Sequence, residues 1–549
     1  MYWFNIILFV GAVPLCVLTT RKCLCESGPF SDGPRFRGLA PALILLLALG
    51  LRLYLFGAVP GGINQDGAMA AVDAKALADY RTDRFGMRFP VHLTAWGYGQ
   101  MSALLSYMMA PFIRLFGLSA VTARLPLLIM SMAGLVFLFL LCRDVFGGGA
   151  ATAVLAIAAV APWHFMQSRW ALDCNLYPHF FVMGLYLLNR GLRDRKCLYF
   201  SMPVFGLCMY CYGVALYTLP LFLLAAGIYL LRTKRLGLPQ ILLSALLYLA
   251  VAWPFLAVMA VNYFRLPTIQ TPLFTIPFFP DSMRSGDILF FSADMGVQLR
   301  ENLRSLMDVA ALQRKDLPWN DIAGFGSLYL FSAPFTMTGL IFAYRAAREK
   351  SGAALIYLFL LTGIWTGLAT NSVNVNRVNI IFYPLIIFTG LGVWLCVKKL
   401  RPAGALASMA YLTAFALFCF TYFTSYRAQI EQYFLKDFGE AVSAVKDDGA
   451  ERVYITPNSQ SRDSAAVSEI LTLFYHETDA EYFQGKYPQN GLYYDDRYSY
   501  VGLDRLSIDP EEDAVYVVSE DELPLFDPQS FSFEHYGRYC VARPITTER

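Results

Sequence analysis

The chain has 549 residues, 57% hydrophobic and only 15% charged, with a mean hydropathy of +0.46. A soluble domain carries roughly 25% charged residues, so a single soluble domain is excluded. The 44 Lys and Arg nearly balance 41 Asp and Glu, but 11 basic and 24 acidic residues from Thr424 to Arg549 put that tail at −13 and the remainder at +16.

Basic residues of the first part cluster between apolar runs, the pattern of a polytopic membrane protein and not of a nucleic-acid binder. A span takes about 20 helical residues. About twelve such runs are predicted, at 2–19, 39–58, 119–142, 150–166, 176–192, 198–212, 214–231, 238–261, 325–343, 353–369, 378–397 and 404–423. The stretch 198–231 is read as a hairpin turning at Tyr212-Gly213, because it is too long for one span. Every second connection is basic: Arg21, Lys22, Arg35 and Arg37; Arg143; Arg190, Arg193, Arg195 and Lys196; Arg232, Lys234 and Arg235; Arg345, Arg348 and Lys350; Lys398, Lys399 and Arg401. The positive-inside rule places these in the cytoplasm and 59–118, 167–175, 262–324, 371–377 and the acidic tail outside. The run 2–19 lacks a basic leader and a small-residue cleavage site, and is expected to be retained as a span. The fold class expected is a polytopic α-helical membrane protein with three parts: an extra span and basic loop at 1–38, a transmembrane domain at 39–423, and a small acidic α/β extracytoplasmic domain at 424–549.

The first outer loop, 59–118, is far longer than a connector of 2 to 8 residues and is where function is expected. It opens Gly61-Gly62-Ile63-Asn64-Gln65-Asp66-Gly67, and a helix is predicted from Ala68 to Tyr80. Asp66 stands at the positive end of that helix, either as a carboxylate able to act as a base or as a plain N-cap. Asp73, two turns on, is a secondary candidate whose simpler reading is a solvated face residue. His92 is read as a proton carrier or ligand, or as a structural histidine. The segment Trp96-Gly97-Tyr98-Gly99-Gln100 leads into an apolar stretch from Leu104 to Gly117, read as a surface helix with Trp96, Tyr98 and Tyr107 as interfacial anchors.

Arginines near span ends need a partner, commonly a phosphate or a carboxylate. Arg52, inside its span, is expected to pair within the bundle; Arg169 has Asp173 four residues on. Arg377 sits among Asn371, Asn374, Asn376 and Asn379, a cation with amides able to hold a phosphate, or a snorkelling arginine among turn-forming asparagines. The second long outer loop, 262–324, is expected to form partial helices, with Asp294 as a secondary polar candidate or a solvated aspartate. Of the 11 cysteines only Cys174 and Cys540 fall outside, so no disulfide framework is expected, and neither Cys208-Met-Tyr-Cys211 nor Cys23-Leu-Cys25 has a partner for metal binding. In the tail, strands are predicted at 452–456 and 514–518, a helix at 463–475 and an edge hairpin at 531–541, with no metal-ligand spacing.

The order of these features resembles a known family. Gly-Gly-Ile-Asn-Gln-Asp66 after a span, the helix to Tyr80, the Gly86–Pro90 turn, the Tyr98–Gly117 stretch, Leu118 to Pro126 opening a span, Ser168-Arg169, and Asn376-Arg377 before a span with Tyr-Pro are together similar to bacterial GT-C glycosyltransferases. The branch is that of protein O-mannosyltransferases and lipid A aminoarabinose transferases, and the resemblance covers 39–423. It implies a sugar donor on a polyprenyl phosphate and an extracytoplasmic glycan, lipid or protein acceptor. It implies Asp66 as catalytic base, Arg377 and Asn376 near the donor phosphate, and, as a looser match, Arg169 facing the cavity. The aminoarabinose transferases' second acidic motif is replaced here by Gly97-Tyr98-Gly99-Gln100, so Gln100 joins the secondary candidates. No Asp-X-Asp stands in the first loop, and neither a divalent metal nor another cofactor is expected. The competing function is a transporter or flippase of a lipid-linked sugar, which would show broken helices in two matching halves; no such repeat is found.

Overall fold

In the computed structural model, residues 2–24, 38–96, 99–280, 288–314, 316–457, 464–484, 497–503 and 506–545 are described. Arg35, Arg37, Gly97 and Tyr98 lie outside them. Each predicted apolar run overlaps a helix, but 150–166 is broken at Ala161 into two helices and the α-helix in 325–343 begins only at Ala333. Among the described residues seven helices are long and apolar enough to cross a membrane: Trp3–Leu24, Ala120–Phe146, Ala215–Arg232, Leu238–Tyr263, Ser351–Ala369, Asn379–Lys399 and Gly404–Phe423. Shorter helices such as Ala40–Leu53, Gly148–Val160, Tyr177–Gly191, Arg195–Cys208 and Ala333–Ala347 accompany them. The chain is a multi-pass membrane protein.

The described chain forms two compact units. The first comprises Met1–Phe56, Leu127–Leu256 and Arg284–Tyr426 and holds nearly all the apolar helices. Lipid offers apolar side chains no advantage over one another, so helices associate through close packing at small residues. The helices Ala333–Ala347 and Phe382–Lys399 show this: a Cβ added at Gly339 or Gly392 would overlap the facing carbonyl of Phe388 or Phe335.

The second unit comprises Gly57–Pro126, Ala257–Met283 and Arg427–Arg549. The first outer loop and the acidic tail therefore belong to one body. The loop contributes the helix Gln65–Tyr80, a hairpin of His92–Ala95 with Gly99–Ser102, and the helix Leu104–Phe116. The hairpin corrects the reading of this aromatic segment: Trp96 sits at its turn with φ +53 and is buried, so it is not an interfacial anchor, and Tyr107 donates to the Pro90 carbonyl at 3.0 Å. The tail contributes a five-stranded sheet in the order Tyr498–Ser499, Arg452–Ile455, Ala514–Ser519, Tyr539–Pro544, Phe531–Tyr536. The first three strands pair in parallel, and Tyr539–Pro544 is antiparallel to both of its neighbours. Tail and loop meet where the helix Ser464–Tyr475 packs on Gln65–Tyr80. Tyr80 donates to Asp479 at 2.7 Å, Gln484 Nε2 reaches Thr82 Oγ1 at 2.7 Å, and the Ile63 amide donates to the Phe434 carbonyl at 3.0 Å. Gly62, at φ +73, lies so close to the Phe434 carbonyl that a Cβ would overlap it.

Candidate active site

Asp66 occupies the second position of the helix Gln65–Tyr80, whose N-cap is Asn64. The Asn64 side chain accepts the Asp66 amide at 3.0 Å, so the cap is Asn64 and not Asp66, whose carboxylate lies half-buried in the first turn. Negative charge is favoured there by the helix dipole. The approach to this turn is fixed by Arg124, which was not singled out in the sequence although it is an arginine in an apolar run. Its fully buried guanidinium donates to the carbonyls of Gly57 at 3.1 Å, Pro60 at 2.8 Å and Gly62 at 2.5 Å.

Asp73 is not a solvated face residue. It is 1% exposed and paired with the equally buried Arg84, Nη1 to Oδ2 at 2.7 Å, and it also accepts the Arg84 amide at 3.0 Å. The Arg84 Nη2 donates onward to the Thr94 carbonyl at 3.0 Å, tying the helix to the hairpin. Burial pushes the Asp73 carboxyl up, and the Arg84 guanidinium opposes that shift. Beside them Asp83 accepts the amides of Phe85 at 3.0 Å and Met87 at 2.8 Å through Oδ1, while its buried Oδ2 has no hydrogen-bond partner among the described residues. Burial, and after it the Asp73 carboxylate, raise Asp83 to about 7. The folded carboxyl thus keeps its proton up to about pH 7, whereas an ordinary one loses it near 3.8. Its contribution to stability is therefore full below pH 3.8 and lost as pH rises through that window to about 7. Asp83→Asn keeps the Oδ1 acceptor and removes the charge. The variant is expected to melt above the native chain in mildly alkaline buffer and together with it in acid, read by thermal melting of the detergent-purified protein. An identical pH slope in the two proteins would overturn this assignment.

His92 is buried, edge-on to Phe279 at 6.0 Å between ring centroids, and burial lowers it to about 4. Burial disfavours its charged form, and it packs within its unit as the structural reading expects. Gln100, paired with Thr94 across the hairpin, has a buried Nε2 with no partner among the described residues, and is the secondary candidate that retains an uncommitted donor.

In the first unit Arg169 is committed elsewhere than expected. It is fully buried and donates to the carbonyls of Leu51, Arg52, Tyr54 and Leu55 at 2.6–3.2 Å, closing the C-terminal end of the helix Ala40–Leu53. A guanidinium without accessible surface does not face a cavity, so it is withdrawn as a phosphate ligand. Arg52 pairs within the bundle: its Nη2 lies 3.0 Å from His164 Nδ1, and Tyr383 OH bridges His164 Nε2 at 3.3 Å and His179 Nδ1 at 2.8 Å.

Arg377 is half-buried, and its Nη1 donates to the Asn371 carbonyl at 2.7 Å. The second long loop braces this segment. Asp294 is the N-cap of the helix Met295–Leu306, accepting Val297 N at 3.0 Å, and so has a structural task. Asn302 on that helix donates to Asn371 Oδ1 at 3.2 Å, and Asp316 accepts Val375 N at 3.0 Å. Asn379 is drawn away from the amide cluster: Trp163 Nε1 donates to its Oδ1 at 2.6 Å, and its Nδ2 reaches Asn175 Oδ1 at 3.1 Å. Asn376 keeps a buried Oδ1 without a partner among the described residues. Of the expected amides Asn379 is the one that leaves: Asn371 stays bonded to Arg377, and Asn374 Oδ1 accepts the Arg377 amide at 3.2 Å.

Residues 101–260 match the family described as dolichyl-phosphate-mannose-protein mannosyltransferase. Among solved structures the chain is similar to ArnT from Cupriavidus metallidurans bound to undecaprenyl phosphate, at 14% identity and a TM-score of 0.56, over 91% of this chain and 97% of that one. The apo state of the same protein matches at 14% identity and a TM-score of 0.55 over the same shares. No curated protein matches the chain in sequence.

Proposed function

We propose that this chain, which has the GT-C fold and resembles the O-mannosyltransferase and aminoarabinose transferase branch as its sequence led us to expect, is a membrane glycosyltransferase. Its donor is a sugar on a polyprenyl phosphate and its acceptor an extracytoplasmic glycan, lipid or protein. The observation that carries this reading is the match in fold over nearly the whole of a protein solved with undecaprenyl phosphate.

In the proposed reaction an acceptor hydroxyl attacks the anomeric carbon, the bond from that carbon to the phosphate oxygen breaks, and polyprenyl phosphate leaves. Asp66 takes the hydroxyl proton. Arg377, with Asn376 beside it, meets the charge developing on the phosphate. One carboxylate and one good leaving group suit a single displacement with inversion. An activated phosphate requires no redox cofactor, and no metal is assigned to this step. Because the first outer loop and the tail belong to one unit, both lie on one side of the membrane in this reading, the outer one by the charge of the intervening loops.

The test supplies a radiolabelled polyprenyl-phosphate sugar pool to membranes with and without the chain. Label should pass into a product that is no longer a polyprenyl phosphate, only when the chain is present. Label that crosses the bilayer while remaining on its lipid would make the chain a flippase.

A further inference from the structure

The tail sheet brings together three side chains that the linear spacing of the tail does not reveal as a ligand set. The strands Phe531–Tyr536 and Tyr539–Pro544 form a hairpin turned at Gly537, φ +64, and its register sets His535 opposite Cys540. On the other side Val518 pairs with Cys540 and Ser519 with Tyr539; Glu520 opens the 3-10 turn Glu520–Leu525 that follows this strand, and its amide donates to the Arg538 carbonyl at 2.9 Å, which holds it beside the hairpin. His535 Nδ1 lies 3.0 Å from Cys540 Sγ and 3.4 Å from Glu520 Oε1, and the three atoms lie within 4.8 Å of one another.

The edges of a coordination tetrahedron for zinc bonds of about 2.0–2.3 Å are about 3.3–3.8 Å; the His535–Glu520 separation falls in that range, and the His535–Cys540 hydrogen bond is a few tenths of an ångström shorter. The setting also suits a metal. Cys540 is fully buried in an apolar cluster with Tyr516, Val518 and Ala542, whereas the His535 and Glu520 side chains are 57% and 50% exposed at its rim. A cation there has an apolar floor, two ligands at the surface and an entry path from solvent. The donors are a thiolate, an imidazole and a carboxylate, a set that selects a zinc-class ion over calcium or magnesium, which take oxygen ligands.

We propose that Cys540, His535 through Nδ1, and Glu520 bind a zinc-class divalent cation in the tail domain, with the fourth position open to water. The thiol gives up its proton to solvent on binding, the imidazole binds neutral, and affinity rises with pH. The ion ties the hairpin of the last two strands to the turn that follows the strand Ala514–Ser519. The site is independent of the transfer reaction proposed above.

The test uses the full chain, purified without a polyhistidine tag, reduced and in detergent, with Co²⁺ as the optical probe and Zn²⁺ as competitor. One equivalent of Co²⁺ should produce a thiolate-to-cobalt charge-transfer band that Zn²⁺ removes. Cys540→Ser should abolish the band. His535→Gln and Glu520→Gln alter exposed side chains and leave the buried cluster intact, so they separate ligand loss from misfolding; each should weaken Zn²⁺ binding by at least about tenfold. No band in the native chain, an unchanged band in Cys540→Ser, or undiminished Zn²⁺ affinity in both exposed variants would each overturn the proposal and leave a simple thiol–imidazole hydrogen bond.

Discussion

Asp66→Asn is expected to lower sugar transfer by about 10²–10⁴-fold, the usual range for loss of a positioned general base, while donor binding is retained. The substitution isolates charge from architecture. The helix is capped by Asn64, which accepts the backbone amide of residue 66, and an asparagine there keeps that amide. The Arg124 contacts to Gly57, Pro60 and Gly62 are equally untouched. What disappears is a proton acceptor at the positive end of a helix. The measurement is transfer of labelled sugar at matched expression, with binding of the labelled donor to purified protein as control. Equal transfer by both proteins would remove Asp66 from the mechanism, and loss of donor binding along with transfer would make it a binding group instead.

Arg84→Met is expected to destabilise the second unit by about 3–5 kcal/mol, the cost of leaving a buried charge without its partner. Both side chains of the Asp73–Arg84 pair are within 2% of complete burial, and the arginine also holds the Thr94 carbonyl. Lys75–Asp79 on the same helix provides the comparison: it has similar geometry at 2.7 Å, but its side chains are 19% and 26% exposed. Lys75→Met should therefore cost no more than about 1 kcal/mol. Asp73→Leu combined with Arg84→Met removes both charges and should recover most of the loss, because replacing a whole buried pair is far cheaper than breaking it. Thermal melting of the three variants and protease sensitivity of the first outer loop check this. A cost for Arg84→Met no larger than for Lys75→Met would show that the pair does not hold the loop.

The apolar runs, the neutral turn between 198–212 and 214–231, and the strands and helix of the tail were legible in the sequence, because length, hydropathy and two- or four-residue periodicity are local quantities. So was the order of motifs that led to the GT-C fold. The acidic residue in the first turn of an outer-loop helix was also legible. Its cap was not assigned correctly, since Asn64 and Asp66 are both good capping residues and only the backbone bend at Asn64, φ −65 and ψ 142, chooses between them.

What the sequence by itself determined about this protein is a membrane-embedded helical body, an acidic α/β tail and a long loop carrying Asp66, each encoded in residues near one another in the chain. The tertiary structure alone decided which charges are buried and against what. Asp73 meets Arg84 eleven residues on because the chain leaves the helix at Arg81, φ +63, and turns back along it. Arg169 reaches carbonyls more than a hundred residues earlier, and strand register sets His535 beside Cys540 while the turn after Ser519 brings Glu520 to them. Partners of this kind are set by how distant segments fold back on one another, and a polar side chain in low dielectric takes whatever partner that packing supplies.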